Sequence, residues 1–143
     1  QDEGLSSEGS STEEVNFFNW EDQSILVVED DEGSLQFIEA VLMQTNARLI
    51  ICKSGQEALD LFMKHKEEIT IALMDIQLPD ISGLDVTRQI KQYDSEIPVI
   101  AQTAHAMDGD RKKYISQGCN DYISKPIDAN KLLHKINKFI AYK

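Results

Sequence analysis

The sequence predicts an α/β fold, a three-layer sandwich in which helices cover both faces of a five-stranded parallel sheet. Three observations carry the prediction. Short β-branched apolar runs recur along the chain, apolar stripes at helical spacing separate them, and polar residues follow the runs directly. Strands that are apolar at every position need cover on both faces, and strands alternating with helices become parallel neighbours through helical crossovers.

The first run, Ile25-Leu26-Val27-Val28, reads as a buried strand that empties into Glu29-Asp30-Asp31. Leu35, Ile38, Val41 and Leu42 then recur at helical spacing, and Arg48-Leu49-Ile50-Ile51-Cys52 returns to strand character. Ala58, Leu59, Leu61 and Phe62 form the second helical stripe, and Ile71-Ala72-Leu73-Met74 forms a third strand ending at Asp75. The loop Gln77-Leu78-Pro79-Asp80-Ile81-Ser82-Gly83 leads into a helix carrying Leu84, Val86, Thr87 and Ile90. Pro98 introduces strand four, Val99-Ile100-Ala101, which ends near Gln102. A helix from about Asp108 to Ser116 is closed by Gly118, whose missing Cβ suits a left-handed cap. A short strand near Asp121-Tyr122-Ile123 and a last helix with Leu132, Leu133, Ile136 and Ile140 complete the set.

A chain of 143 residues is long enough for one self-sufficient core with some tail. Residues 1–23 read as an acidic linker or N-terminal extension and residues 24–143 as the folded domain. The opening Gly/Ser/Glu-rich stretch and the missing initiator Met suggest a piece of a longer protein. Phe17, Phe18 and Trp20 form an aromatic segment with three open roles: packing on this domain, continuing a preceding helix, or docking on a neighbour. The net charge of −11 argues against nonspecific nucleic-acid binding, since such a field repels phosphates. No run approaches the roughly 18 apolar residues of a membrane span. Cys52 and Cys119 make neither a CxxC motif nor a disulfide framework, which fits a reducing compartment and a cytoplasmic chain.

In open α/β sheets, ligands bind beyond the carboxyl ends of the strands. Strand one delivers Asp30 and Asp31, strand three Asp75, strand four Thr103, and strand five leads to Lys125. Taken singly, each Asp is a turn or helix cap, Thr103 a cap and Lys125 a surface residue. Taken together, three carboxylates in one crevice repel one another unless a cation neutralises them, and an all-oxygen site suits Mg²⁺. A hydroxyl and an ammonium beside that ion suit the remaining oxygens of a phosphoryl group.

Four fragments in this order and spacing resemble the receiver domain of two-component response regulators along residues 24–142. They are Val27-Val28-Glu29-Asp30-Asp31, Met74-Asp75-Ile76-Gln77-Leu78-Pro79-Asp80-Ile81-Ser82-Gly83, Thr103-Ala104-His105-Ala106-Met107 and Asp121-Tyr122-Ile123-Ser124-Lys125-Pro126. The resemblance implies a doubly wound (βα)5, flavodoxin-like sheet in strand order 2-1-3-4-5, which separates Cys52 from Cys119 too far for a disulfide. It makes Asp75 the phosphoacceptor and gives Mg²⁺ to Asp30, Asp31, Asp75 and the carbonyl of Gln77. It gives Lys125 and Thr103 to the phosphoryl group, makes Tyr122 the aromatic whose rotamer follows Thr103, and makes Lys125-Pro126 a cis bond. The side chains of Gln77 and His105 would tune the dephosphorylation rate.

The expected partners are a histidine kinase or a histidine phosphotransfer domain, with a phosphorylation-dependent homodimer as a further option. The surface of the fourth helix, fifth strand and fifth helix would be the output face. Lys131, Lys135 and Lys138 there either meet an acidic partner or form a solvated face. The Asp75-to-Pro79 and Thr103-to-Met107 forms look most like receivers attached to hybrid sensor histidine kinases. Nothing predicts direct contact with nucleic acid or membrane by this stretch. Two rival readings are a degenerate protein-binding receiver and an Mg²⁺-dependent small-molecule phosphohydrolase. The second usually needs another Asp two residues after the nucleophile, where this chain has Gln77.

Overall fold

The computed structural model describes residues 18–104 and 110–140. Five strands alternate with five helices: β1 Ser24–Val28, α1 Glu32–Met43, β2 Arg48–Cys52, α2 Gly55–His65, β3 Ile69–Asp75, α3 Gly83–Tyr93, β4 Val99–Thr103, α4 Asp110–Ser116, β5 Asp121–Ser124 and α5 Ala129–Ile140. All pairings are parallel and the strand order is β2-β1-β3-β4-β5, as the resemblance to receivers implies.

Alternation along each strand sorts the core into two layers. Leu26, Val28, Ala72, Met74, Val99 and Ala101 face Ala58 and Phe62 of α2, Val86 and Ile90 of α3, and Tyr114 of α4. Ile25, Val27, Ile71, Leu73 and Ile100 face Leu35, Ile38 and Leu42 of α1 and Leu132, Leu133 and Ile136 of α5. Each aliphatic side chain buried this completely contributes roughly 1.5–3 kcal/mol, so the three-layer arrangement rests on both faces of the sheet.

The leading aromatic segment packs on this second layer. Trp20 is buried, its backbone N–H donates to the Thr45 carbonyl at 2.6 Å, and its indole N–H donates to Asn137 Oδ1 at 3.3 Å. Phe18 stacks on Trp20 and meets His134 edge-on. Phe18 to Gln23 are thus part of the folded body, while Phe17 lies outside the described residues.

Register brings the strand ends level. Val28 lies opposite both Cys52 and Met74, Asp75 opposite Gln102, and Thr103 opposite Ser124. The residues that leave β1, β3, β4 and β5 therefore meet along one edge. Gly118 adopts φ +108°, in keeping with its predicted helix-ending role, and the Lys125-Pro126 bond is cis. Cys52 and Cys119 are buried free thiols.

Candidate functional site

The site is assembled from the ends of β1, β3 and β5. Asp75 is the last residue of β3 and is 4% exposed. The Gln77 backbone N–H donates to its Oδ1 at 3.1 Å, and Lys125 Nζ stands 3.5 Å from the same oxygen. Lys125 Nζ also approaches Glu29 Oε1 at 3.0 Å and hydrogen-bonds Oε2 at 3.3 Å. Glu29 follows β1 directly and is wholly buried, with the Asp31 backbone N–H donating to its Oε2 at 3.0 Å.

Ligand oxygens of Glu29, Asp30 and Asp75 all lie within 4.8 Å of one another. This cluster differs from the predicted one by a single residue. Asp31 stands apart as the N-cap of α1, accepting from the Ser34 N–H at 2.9 Å, and that bond holds its carboxyl below the usual carboxylate range. Glu29 takes its place. The signal was present in the sequence: an Asp immediately before a helical stripe, three residues ahead of Ser34, has the spacing of a cap.

Burial sets the electrostatics. Desolvation pushes the Glu29 carboxyl up to about 7, against hydrogen bonds from the Asp31 N–H and Lys125 that pull it down; the nearby Asp75 charge adds to the rise. Desolvation pulls Lys125 downward, but its contacts with Glu29 and Asp75 outweigh that and hold the ammonium above its ordinary value. Glu29 Oε1 has only its ionic approach to Lys125 and accepts no well-formed hydrogen bond. A buried carboxylate oxygen left in this state, beside two further carboxylates, fits a hard divalent cation. The acidic cluster can therefore hold such an ion.

Two glycines and an aspartate fix the loop behind the site. A Cβ on Gly83 would lie 2.0 Å from the Asp75 carbonyl oxygen, so α3 starts against the strand end only because Gly83 has none. Asp80 accepts from the N–H groups of Gly55 and Gln56 at 2.7 and 2.9 Å, tying the loop that carries Gln77 to the start of α2.

Of the remaining predicted residues, Thr103 ends β4, with its carbonyl accepting from the Lys125 N–H at 2.8 Å. Its Oγ1 is paired with the Tyr114 hydroxyl at 2.9 Å. Tyr122 is partly buried, its ring centroid 5.8 Å from that of Tyr114. His105 lies outside the described residues. On the predicted output face, Lys135 is bound to the buried Asp121 at 3.0 Å and Lys138 lies over the Phe139 ring. A cleft of about 390 Å³, lined by Phe37 on one side and Lys125, Pro126 and Ile127 on the other, opens beside the acid cluster.

The family model for the response regulator receiver domain matches residues 25–137. This chain belongs to that family. The receiver is 39% identical over 121 residues to the polar-differentiation response regulator DivK of Brucella anthropi, covering 83% of this chain and 97% of that protein. It is 37% identical over 146 residues to hybrid signal transduction histidine kinase I of Dictyostelium discoideum, covering 96% of this chain but 8% of that protein. A chain of the co-crystal structure of the Saccharomyces cerevisiae histidine phosphotransfer protein Ypd1 with the receiver domain of its downstream response regulator Ssk1 superposes with a TM-score of 0.75. That match has 26% identity and covers 82% of this receiver and 88% of that chain. Among the described residues, no helix is long and apolar enough to cross a membrane.

Proposed function

We propose that this receiver is the phosphoacceptor of a two-component phosphorelay, taking a phosphoryl group from a phosphohistidine onto Asp75. The observation that carries the reading is the buried Asp75 carboxylate, with Glu29 and Asp30 oxygens within 4.8 Å and the Lys125 ammonium at 3.5 Å. Gln77 N–H and Lys125 engage Oδ1, which leaves Oδ2 to attack phosphorus in line. The new O–P bond forms as the P–N bond to the partner imidazole breaks, and the electron pair returns to the ring.

Glu29, Asp30, Asp75 and the carbonyl of Gln77 would hold Mg²⁺, directly or through water, in place of the predicted set containing Asp31. When bound, Mg²⁺ supplies positive charge against the equatorial phosphoryl oxygens. Lys125 carries a fixed charge to the same oxygens, and burial of Glu29 and Asp75 keeps that field strong. Thr103 would hydrogen-bond a phosphoryl oxygen, with Tyr122 following it, and the side chains of Gln77 and His105 would set access for hydrolytic water.

The partner is a histidine kinase or a histidine phosphotransfer domain, a reading supported by the Ypd1–Ssk1 likeness and by the cleft beside Lys125 that exposes Phe37. Phosphorylation would bias the α4–β5–α5 face toward a downstream partner or a second copy. We assign the chain to a hybrid sensor histidine kinase with the acidic segment ahead of Phe18 as tether, because its likeness to the Dictyostelium hybrid kinase reaches across 96% of the chain. Such a receiver works on the cytoplasmic side.

Intact-protein mass after incubation with acetyl phosphate tests the reading. One Mg²⁺-dependent phosphoryl adduct, absent from Asp75→Asn, is the expected result. No adduct under conditions that modify a control receiver would mark a degenerate docking domain, and turnover of small phosphomonoesters would mark a phosphohydrolase.

A further inference from the structure

The resemblance to receivers couples Thr103 to Tyr122, yet the hydroxyl that meets Thr103 belongs to Tyr114. Tyr114 is the one buried residue of α4 among those described, at 4% exposure, and Thr103 is buried to the same degree. The 2.9 Å contact between Thr103 Oγ1 and the Tyr114 hydroxyl is therefore a bond between two groups that water reaches poorly. The Tyr114 ring packs at a tilt against Tyr122, so the three side chains form a short series from the end of β4 through α4 to β5.

The Thr103 side chain occupies discrete staggered positions, because β-branching leaves it few rotamers. We propose that Tyr114 is the positioning residue for Thr103: its hydroxyl holds Thr103 in the resting arrangement, and phosphorylation at Asp75 must break that bond. This inference rests on the phosphoacceptor reading above. The charge-assisted bond to a phosphoryl oxygen is stronger than a neutral hydroxyl pair, so the exchange runs toward the phosphorylated state. On release, Tyr114 loses its hydroxyl contact with the end of β4, and α4 is freed to shift with the Tyr122 ring. Tyr114 thus makes the receiver harder to switch, and it routes the signal through α4 before β5.

The test uses beryllofluoride with Mg²⁺ as the phosphoryl mimic on the full chain. Tyr114→Phe keeps the ring and its packing and removes only the hydroxyl. Its expected effect is about fivefold tighter beryllofluoride binding, the loss of one buried hydrogen bond from the resting state alone. In a Thr103→Val background the same substitution is expected to change nothing, which separates the hydroxyl pair from packing. On the unmutated chain with ¹³Cζ-labelled tyrosine, the Tyr114 resonance is expected to move when beryllofluoride is added. Unchanged or weaker binding by Tyr114→Phe, equal tightening in the Thr103→Val background, or a static Tyr114 resonance would each overturn the proposal. A wild-type chain that does not bind beryllofluoride, or that binds it equally as Asp75→Asn, overturns the phosphoacceptor reading and this inference with it.

Discussion

Lys125 Nζ stands 3.0 Å from Oε1 of Glu29, a carboxylate with no solvent exposure, and that pair shapes the site's response to pH. Burial raises the Glu29 carboxyl from 4.5 to about 7. Below pH 4.5 the folded and unfolded chains both carry the proton; between 4.5 and about 7 mainly the folded chain keeps it; above that both lose it. Proton uptake therefore favours the folded chain, and this contribution is lost as pH rises through the window, by up to about 3 kcal/mol. Glu29→Gln mimics the protonated form at every pH. In metal-free buffer its stability advantage over wild type should widen from pH 5 to about 7.5 and then level off, measured by urea unfolding. A pH-independent difference would sink the assignment. Added Mg²⁺ should stabilise wild type above pH 7 and leave Glu29→Gln much less affected.

Gly83 carries a steric prediction. Its absent Cβ would lie 2.0 Å from the Asp75 carbonyl oxygen and 2.9 Å from the Ile76 Cα, both backbone atoms that cannot rotate away. Gly83→Ala must push α3 off the end of β3, at a cost of about 2 kcal/mol or more. The same shift displaces Asp75, so the rate of phosphorylation by acetyl phosphate should fall together with the unfolding midpoint. A variant with wild-type stability would show that the approach is looser than the geometry implies.

The sheet was legible because each strand carries a short apolar run and each long helix its stripe, so element type and order follow from periodicity alone. Strand order is different: it came with the resemblance, since nothing in the spacing says that β1 lies between β2 and β3. Within the site, Asp30, Asp75 and Lys125 were legible as strand-end residues. Glu29 was not, because a carboxylate touching an apolar run reads as its boundary, and its burial depends on Lys125, 96 residues away. Tyr114 was missed for a related reason. Its ring looks like ordinary core, and only the packing of α4 on the sheet brings its hydroxyl to Thr103.

Gln102 is a conflict between residue type and place. Its side chain is wholly buried on β4, and neither its Oε1 nor its Nε2 has a hydrogen-bond partner among the described residues. An amide buried without partners costs about 1–3 kcal/mol. Neighbouring Ile100 and Ile123 belong to the apolar layer on that face, so Gln102→Leu should stabilise the fold by a similar amount. The readout is the denaturant midpoint at unchanged slope. A lower midpoint would mean that the amide is engaged in the native protein.

Burial pushes the Cys52 thiol up to about 12 and the Cys119 thiol up to about 11, so thiolate is scarce in the native chain at neutral pH. Because the thiolate is the nucleophile, both residues should resist an aromatic disulfide reagent at pH 8 while the chain stays folded. Two thiols should then react at once in urea. Fast titration of either one in the folded protein would show that the layer covering it opens readily.

Trp20 tests how firmly the leading segment belongs to the domain. It is the only tryptophan of the chain, it sits 6% exposed in the α1–α5 layer, and its backbone and indole N–H groups donate to Thr45 and Asn137. Its emission should therefore be that of a buried indole and should shift to the solvent-exposed value in the same transition as the far-ultraviolet dichroism. Trp20→Ala empties a large site, removes the ring on which Phe18 stacks and takes the indole donor from Asn137, for a loss of about 3–5 kcal/mol. If the fluorescence transition instead precedes the loss of secondary structure, the segment undocks on its own and the cooperative fold begins at β1.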